Sequence, residues 1–253
     1  MKGLIFAKRT MKEILRDPLS YIFCLGFPIV MLIIMSIVNN SIPEKADMTV
    51  FRLEKLAPGI AFFGLTFIML FISIQVSKDR STALIMRLHA SPMKSWDFIA
   101  GYTLSVVALA VIQLMITLAA SQVMGFVMDE RLSFGGIALC IICLIPSTIM
   151  FIAIGMIFGT LVNEKAAPGL CSIIISVVGM IGGIWMDVDS LKGTILGVSK
   201  ALPFYHGVKA ARMALAGKYS DTVKPLLIVT AWMAGMYILS VIIMKSKLKR
   251  DTM

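Results

Sequence analysis

Six long apolar stretches alternate with short charged segments along the chain. About 20 apolar helical residues, each rising about 1.5 Å, cross the roughly 30 Å hydrocarbon core of a membrane. The stretches are Leu19–Val38, Ala57–Val76, Ile99–Val123, Phe134–Val162, Ala166–Met186 and Pro225–Met244. This pattern predicts an all-α integral membrane protein, with six transmembrane helices in one domain over residues 1–253.

A mixed apolar and basic pattern before the first stretch predicts a further helix over residues 1–17. Leu4, Met11 and Leu15 fall on one helical stripe, as in helices that lie in a membrane interface. Asp17-Pro18 ends this helix, because a proline disfavours helical geometry in the residue before it. The basic residues expected near anionic lipid headgroups are Lys8, Arg9, Lys12 and Arg16.

Residues 187–224, between the fifth and sixth stretches, are too apolar to be a simple linker. Pro203 suits the first turn of a helix, and Gly217 suits the position just after its end. The residues on one face of that helix are Phe204, Val208, Ala211 and Leu215. We therefore expect a short helical segment packed at the outer mouth of the protein.

Composition agrees with a membrane protein. Hydrophobic residues make up 58% of the chain and charged residues 15%, with a mean hydropathy of +0.92. Soluble domains average about 45–50% apolar and about 25% charged residues. The net charge of +10 comes from basic residues that flank the apolar stretches, which indicates lipid headgroups and not nucleic acid as the partner. All four cysteines fall inside apolar stretches and behave as small hydrophobic residues, so no metal site is expected.

The distribution of Lys and Arg predicts the orientation. With six spans, both termini lie on one side of the membrane. That side carries 14 of the 24 basic residues and the other side carries 10. Because cytoplasmic segments carry an excess of Lys and Arg, we expect both termini in the cytoplasm.

The apolar stretches contain no Asp, Glu, Lys, Arg or His. Proton- and ion-coupled carriers commonly hold such groups at membrane depth, so the pattern disfavours a self-powered carrier. The chain also lacks GxxxxGK[ST], HExxH and GxSxG, which argues against ATP hydrolysis and other catalysis in this chain. A stand-alone carrier or channel and a membrane enzyme remain as alternatives.

The cytoplasmic loop 78–98 has a distinctive pattern. Leu84, Arg87, Leu88 and Ser91 recur at helical spacing, and Pro92 ends or bends the helix. Such a helix could receive force from a docked partner, although an ordinary connecting helix would show the same spacing.

GxxxG occurs at Gly155 and Gly159, and again at Gly179 and Gly183. Small residues at this spacing let two membrane helices approach closely, so these glycines are candidate packing positions.

Three motifs, taken in order, resemble the permeases of ABC-2 type exporters. The first is Arg16-Asp17-Pro18 before the first span. The second is Arg87-Leu88-His89-Ala90-Ser91-Pro92 after the second span. The third runs from Leu202-Pro203-Phe204 to Ala211-Arg212 before the sixth span. The resemblance covers essentially the whole chain.

The resemblance implies the permease subunit of an ATP-binding cassette exporter in a bacterial cell membrane. Two copies of a separate ATPase, which carry the ATP and Mg²⁺, would dock on Arg87–Pro92, and this chain would bind no cofactor. A second permease, identical or homologous, would complete the pathway. The outer helix would include Pro203, Phe204, Val208 and Arg212. The 20 methionines favour a hydrophobic or amphiphilic substrate such as a drug, an antimicrobial peptide or a lipid, with a glycan as the alternative.

Overall fold

The computed structural model describes residues 2–41, 49–81 and 95–250, and all regular structure in these ranges is helical. The helices are α1 (Lys2–Ile14), α2 (Pro18–Tyr21), α3 (Phe27–Ser41), α4 (Leu53–Ser81), α5 (Ser95–Val127), α6 (Phe134–Leu161), α7 (Ala167–Ile181), α8 (Thr194–Ala201), α9 (Pro203–Leu215) and α10 (Tyr219–Arg250). A π-helical turn, Ile22–Gly26, joins α2 to α3. Short 3-10 turns lie at Thr49–Phe51 and Val188–Ser190. The prediction of an all-α membrane protein is confirmed.

Five helical segments are long and apolar enough to cross a membrane within the described ranges. They are Ile22–Asn39, Leu53–Ser81, Ile99–Val127, Phe134–Leu161 and Tyr219–Lys247. With the shorter apolar helix α7, they account for the six predicted spans. At 15 residues, α7 is about 22 Å long, which is less than the roughly 30 Å hydrocarbon core.

The predicted fifth span, Ala166–Met186, is longer than the helix found. α7 stops at Ile181 because Gly182 and Gly183 follow it, and Gly183 adopts a positive φ of 78° that suits glycine. The chain then returns through α8 to α9. α9 begins at Pro203, and Gly217 follows it with φ 73°.

α4 lies at the centre of the bundle. It contacts α3, α5, α6, α7 and α9. In its most apolar stretch of 18 residues, 83% of the residues are buried. Aromatic rings tie its interior to two neighbouring helices: Phe62 of α4 lies 5.4 Å from Phe151 of α6, and Phe151 stacks on Phe204 of α9 at 5.8 Å. A displacement of α4 would therefore also shift the five helices that pack against it.

The bundle has two ends. One end carries α1, the C-terminal ends of α4 and α6 and the start of α5, and is called the α1 end. The other end carries α9, the start of α4 and the turn after α7, and is called the α9 end. Large apolar side chains remain exposed on α3 and α10. In the most apolar 18-residue stretches of these two spans, only 22% and 11% of the residues are buried.

Candidate functional site

A buried carboxylate lies at the α1 end, near the C-terminal end of α4. Asp79 is only 3% exposed. Its Oδ2 accepts a hydrogen bond from the Tyr102 hydroxyl of α5 at 2.6 Å, and its Oδ1 accepts one from Gln75 Nε2 at 3.2 Å. A buried charge needs such donors, because moving it out of water without partners is costly.

The N-terminal helix joins the same group. Gln75 Nε2 also donates to Glu13 Oε2 of α1 at 3.0 Å. Arg9 Nη2 lies 2.6 Å from Glu13 Oε1 and 3.6 Å from Asp79 Oδ1. These five residues, defined here as the polar cluster, connect three helices; they are Arg9, Glu13, Gln75, Asp79 and Tyr102.

Close packing holds α1 against α5 beside the polar cluster. The Phe6 ring of α1 meets the Tyr102 ring edge-to-face at a centroid distance of 4.9 Å. A Cβ on Gly101 would lie 2.6 Å from the Phe6 ring and 3.0 Å from a backbone oxygen of α1. Glycine at this position therefore permits the approach that brings Arg9 and Glu13 to α4.

The members of the polar cluster differ in how much they contribute to stability. The Arg9 and Glu13 side chains are 35% and 37% exposed, so water screens their ion pair, which contributes about 0–1 kcal/mol. The Asp79 side chain is 4% exposed, so the loss of a donor to it would leave an unsatisfied buried charge. Within the polar cluster, Asp79 and its donors therefore contribute more than the exposed Arg9–Glu13 pair.

The last turns of α4 also hold the end of α6. Arg80 Nη1 donates to the carbonyl oxygen of Thr160, and it lies 3.4 Å from the carbonyl oxygen of Gly159. Ser77 Oγ donates to the Val162 oxygen at 3.5 Å. A cation that binds the last carbonyls of a helix satisfies free acceptors and complements the helix dipole. The C-terminal end of α4 is thus linked to α1, α5 and α6.

The predicted coupling residues Arg87–Pro92 lie outside the described residues. They follow in sequence six residues after Ser81, the last residue of α4. The α4 members of the polar cluster, Gln75 and Asp79, and Arg80 therefore precede the predicted docking segment by few residues along the chain.

The predicted interfacial residues divide between two sides of α1. Lys8, Lys12 and Arg16 are exposed, whereas Arg9 turns inward to the polar cluster. Leu4 and Leu15 of the predicted apolar stripe are 65% and 39% exposed. The face that packs on the protein is a different one, formed by Phe6, Ala7, Thr10 and Ile14.

The two GxxxG pairs have different surroundings. A Cβ on Gly155 would lie 2.4 Å from the Met69 oxygen, and one on Gly159 would lie 2.5 Å from the Ser73 oxygen, so both glycines press α6 onto the α4 backbone. Gly179 faces Trp185, and Gly183 lies beyond the end of α7. The second pair therefore does not share a helix face.

Among the predicted outer-helix residues, Pro203, Phe204 and Val208 are buried, and Arg212 is half-buried. Arg212 Nε donates to the Lys55 carbonyl oxygen of α4 at 3.0 Å. Burial lowers the pKa of Arg212 to about 10, which leaves the guanidinium charged at neutral pH. A hydrogen bond to Tyr205 raises the pKa of the nearby Lys209.

Sequence reasoning missed the polar cluster. Asp79 falls three residues after the predicted span Ala57–Val76, in the predicted cytoplasmic loop 78–98, whereas α4 continues to Ser81. Gln75 and Asp79, spaced i and i+4, were the available signal of a polar face. The partner Tyr102, 23 residues further on, had no comparable signal.

The fold and this site define a multi-pass helical membrane protein with a buried polar link at one end. A family model described as ABC-2 type transporter matches residues 3–216, and the chain therefore belongs to the ABC-2 type transporter family. It is a membrane permease component of an ATP-binding cassette transporter, and the family implies partnership with an ABC ATPase subunit. A search of curated proteins finds no match to the chain.

Proposed function

We propose that the chain is the permease of an exporter that moves a hydrophobic or amphiphilic molecule outward, powered by two copies of a separate ATPase. The observation that carries this proposal is the polar cluster. It joins α1 and α5 to the last turns of α4, directly before the segment that contains Arg87–Pro92.

Force from the ATPase would enter at Arg87–Pro92 and pass into α4. Because Asp79 and Gln75 bond to α5 and α1, a displacement of the end of α4 would draw both helices with it. Arg80 would transmit the same displacement to α6. Closure of two ATPases on ATP would then rock two permeases against each other and change access to the pathway between them.

Apolar surfaces support a second permease, identical or homologous, and lipid as the further partners. The outward faces of α3 and α10 carry exposed side chains such as Ile37 (61%) and Leu227 (64%). Patches of this kind mark membrane or protein contacts. The excess of Lys and Arg at the α1 end supports cytoplasmic termini in a bacterial cell membrane.

The substrate class is argued from the apolar helices and the 20 methionines. Methionine adapts to irregular apolar ligands, whereas a glycan favours aromatic stacking surfaces and polar groups. In the described part of the chain, Phe62 of α4 packs against Phe151 of α6, and Phe63 packs against Phe67 within α4, all in the interior of a single subunit. Hydrophobic or amphiphilic cargo is therefore favoured over a glycan.

The test is copurification and transport with a charge-reversed docking segment. The tagged chain is purified from its native host with its ATPase, and ATP-driven movement of amphiphilic dyes and of labelled oligosaccharides is measured in proteoliposomes. The variant R87D/L88D should reduce ATPase copurification and ATP-driven transport about tenfold or more, because two docking contacts are lost. The matched control L191D/K192D likewise replaces one leucine and one basic residue with aspartate, but at the α9 end, and should leave both unchanged.

Normal ATPase copurification and transport in R87D/L88D would contradict the docking assignment, and oligosaccharide transport without dye transport would contradict the substrate class.

Buried Asp79 is the observation that favours a second candidate, a proton-coupled carrier. An ionisable group buried among membrane helices can act as a proton site. Reconstitution of this chain alone separates the two candidates. Uphill uptake driven by a pH gradient without ATP, and lost in Asp79→Asn, would support the carrier and overturn the ATP-driven exporter.

A further inference from the structure

The α9 end of the molecule carries two cavities. One, of about 470 Å³, lies around Arg212, and several of its polar side chains already bond to one another: the Tyr205 hydroxyl donates to Asp189 at 2.6 Å and accepts from Lys209 at 3.0 Å. The other, of about 440 Å³, lies between the start of α4, the turn before α6 and the start of α10, and is called the head cavity. Pockets of about 300–1,000 Å³ are of a size that holds small molecules.

Two cations and two carboxylates line the head cavity; they belong to Arg52, Glu54, Glu130 and Arg131. All four residues are exposed, and in the described part of the chain none of their side chains forms a hydrogen bond or an ion pair. Charges of both signs therefore line one cavity without pairing among themselves. They remain available to a ligand that carries both charges.

Local contacts fix the turn between α5 and α6 beside the head cavity. The Glu130 backbone N–H donates to the Gly125 carbonyl oxygen at 2.9 Å, and a Cβ on Gly125 would lie 2.4 Å from the Glu130 carbonyl oxygen. The Arg131 guanidinium lies over the Phe126 ring, 5.3 Å from its centroid, in a cation–π contact. The backbone at Glu130 and the guanidinium of Arg131 are thus held in place, which reduces the entropy lost when a ligand binds.

An apolar groove of about 400 Å³ lies next to the head cavity, between the packed helices α6 and α10. Gly135, Leu139 and Cys143 recur every four residues along its α6 wall, and Val223 and Leu226 line its α10 wall. With a rise of about 1.5 Å per residue, the α6 wall is about 12 Å long. The groove therefore offers an apolar channel two helical turns in length.

The head cavity and the groove are continuous. Tyr219 lines both, and Gly135 of the groove adjoins Gly136 of the head cavity. The membrane spans of α4, α6 and α10 begin at Leu53, Phe134 and Tyr219, so the head cavity lies at the level of lipid headgroups. The groove runs from there towards the hydrocarbon core. A charged cavity followed by an apolar groove has the polarity of a lipid molecule.

We propose that the head cavity and the groove together, called the lipid site, bind one zwitterionic phospholipid of the phosphatidylethanolamine type. Its phosphate would bind Arg52 and Arg131, because arginine matches phosphate oxygens with its planar set of N–H groups. Its ammonium would bind Glu54 and Glu130, and one acyl chain would lie in the groove. The two carboxylates disfavour a purely anionic headgroup, which would leave them without a partner. The lipid site does not depend on the direction of transport or on the transported substrate.

The experiment uses the full chain purified in detergent. Retention of added phosphatidylethanolamine and phosphatidylglycerol is measured by native mass spectrometry, and the wild type should retain phosphatidylethanolamine more strongly. Arg131→Gln should weaken that retention about tenfold, because a charge-assisted hydrogen bond is lost. Lys192→Gln removes a positive charge from an exposed position at the same end, outside the lipid site, and should leave retention unchanged.

Gly135→Trp tests the groove. Ser133 Oγ, at 3.9 Å, is the nearest atom to a Cβ on Gly135, so an indole can enter the groove without a backbone clash. It should exclude the acyl chain and weaken phosphatidylethanolamine retention about tenfold or more, since the burial of several methylene groups is lost. Gly235→Trp in α10 is the matched control, because it adds the same ring at an open position outside the groove and should leave retention unchanged.

Glu130→Gln tests the headgroup chemistry at an exposed position. The variant loses a partner of the ammonium, so its selectivity should shift towards phosphatidylglycerol. Equal phosphatidylethanolamine retention in the wild type, Arg131→Gln and Gly135→Trp would overturn the lipid site, as would a wild type that retains phosphatidylglycerol at least as strongly. If Gly135→Trp dissociated a dimer but left phosphatidylethanolamine retention unchanged, the groove would belong to a second copy of the chain and the proposal would be wrong.

Discussion

Asp79 is the residue whose surroundings differ most from those expected of a cytoplasmic loop. Its carboxylate is buried where α1, α4 and α5 meet, and donors from two helices satisfy it. In a low-dielectric interior, each of these hydrogen bonds is stronger than in water and more costly to lose. Asp79 and Gln75 therefore connect the central helix to α5 and, through Glu13, to the N-terminal helix.

Tyr102→Phe tests this link at the residue scale. The substitution keeps the ring that packs on Phe6 but removes the hydroxyl that donates to Asp79. We expect the free energy of unfolding to fall by about 2 kcal/mol, because a buried carboxylate loses a donor. Reversible unfolding in mixed micelles, followed by circular dichroism, measures the change.

Tyr21→Phe is the matched control. The Tyr21 hydroxyl donates to the Leu15 carbonyl oxygen at 2.7 Å, but the side chain is 45% exposed, so water can replace the bond. We expect a change of about 0.5 kcal/mol or less. An equal loss in the two variants would contradict the special role assigned to Asp79.

At the scale of elements, contact between α4 and α6 organises the bundle. Gly155 and Gly159 place the α6 backbone directly on Met69 and Ser73 of α4, with no room for a Cβ. The hydrophobic effect does not drive helix association inside a membrane. Close van der Waals packing, which small residues permit, stabilises the contact instead. The same close contact is what lets Arg80 reach the last carbonyl groups of α6.

Gly155→Ala tests this contact. The added Cβ would lie 2.3 Å from the Ile72 side chain and 2.4 Å from the Met69 oxygen, so the helices must separate. We expect about 1–3 kcal/mol of destabilisation from overpacking. Gly235→Ala in α10 is the control, because nothing lies within 4 Å of its added Cβ. That variant should be neutral or slightly more stable, since alanine favours the helix. An equal change in the free energy of unfolding of the two variants would contradict tight α4–α6 packing.

At the scale of the whole molecule, burial is uneven among the spans. α4 is enclosed by other helices, whereas α3 and α10 present apolar faces outward. A membrane or another subunit must cover these faces, because exposing so much apolar surface to water is unfavourable. The ends also differ, with α1 and its basic residues at one end and the cavity lined by residues of α4 and α9 at the other.

Cysteine labelling tests the orientation. The native cysteines are all buried, so Lys165→Cys at the α1 end and Lys192→Cys at the α9 end introduce single exposed thiols. A membrane-impermeant maleimide should label Lys192→Cys in intact spheroplasts and Lys165→Cys only after permeabilisation, because the basic excess keeps the α1 end inside. Labelling in the reverse order would contradict cytoplasmic termini.

The sequence by itself determined the class of fold and most helix positions. Hydrophobicity acts locally, and inside a membrane each backbone polar group must be satisfied within its own helix, so a long apolar stretch is enough to predict a span. The face of α9 was predictable for a similar reason: Phe204, Val208, Ala211 and Leu215 recur at helical spacing and are all buried.

Only the tertiary structure decided which side chains meet. Asp79 with Tyr102, and Glu13 with Gln75, are pairs from different helices. Their meeting depends on how each helix is rotated and how closely it approaches its neighbour, for example over Gly101. The cavity around Arg212 likewise arises from the path of the chain after Gly183, which brings α9 against the start of α4. Local pattern cannot encode these features, because they depend on distances between segments that are far apart in the chain.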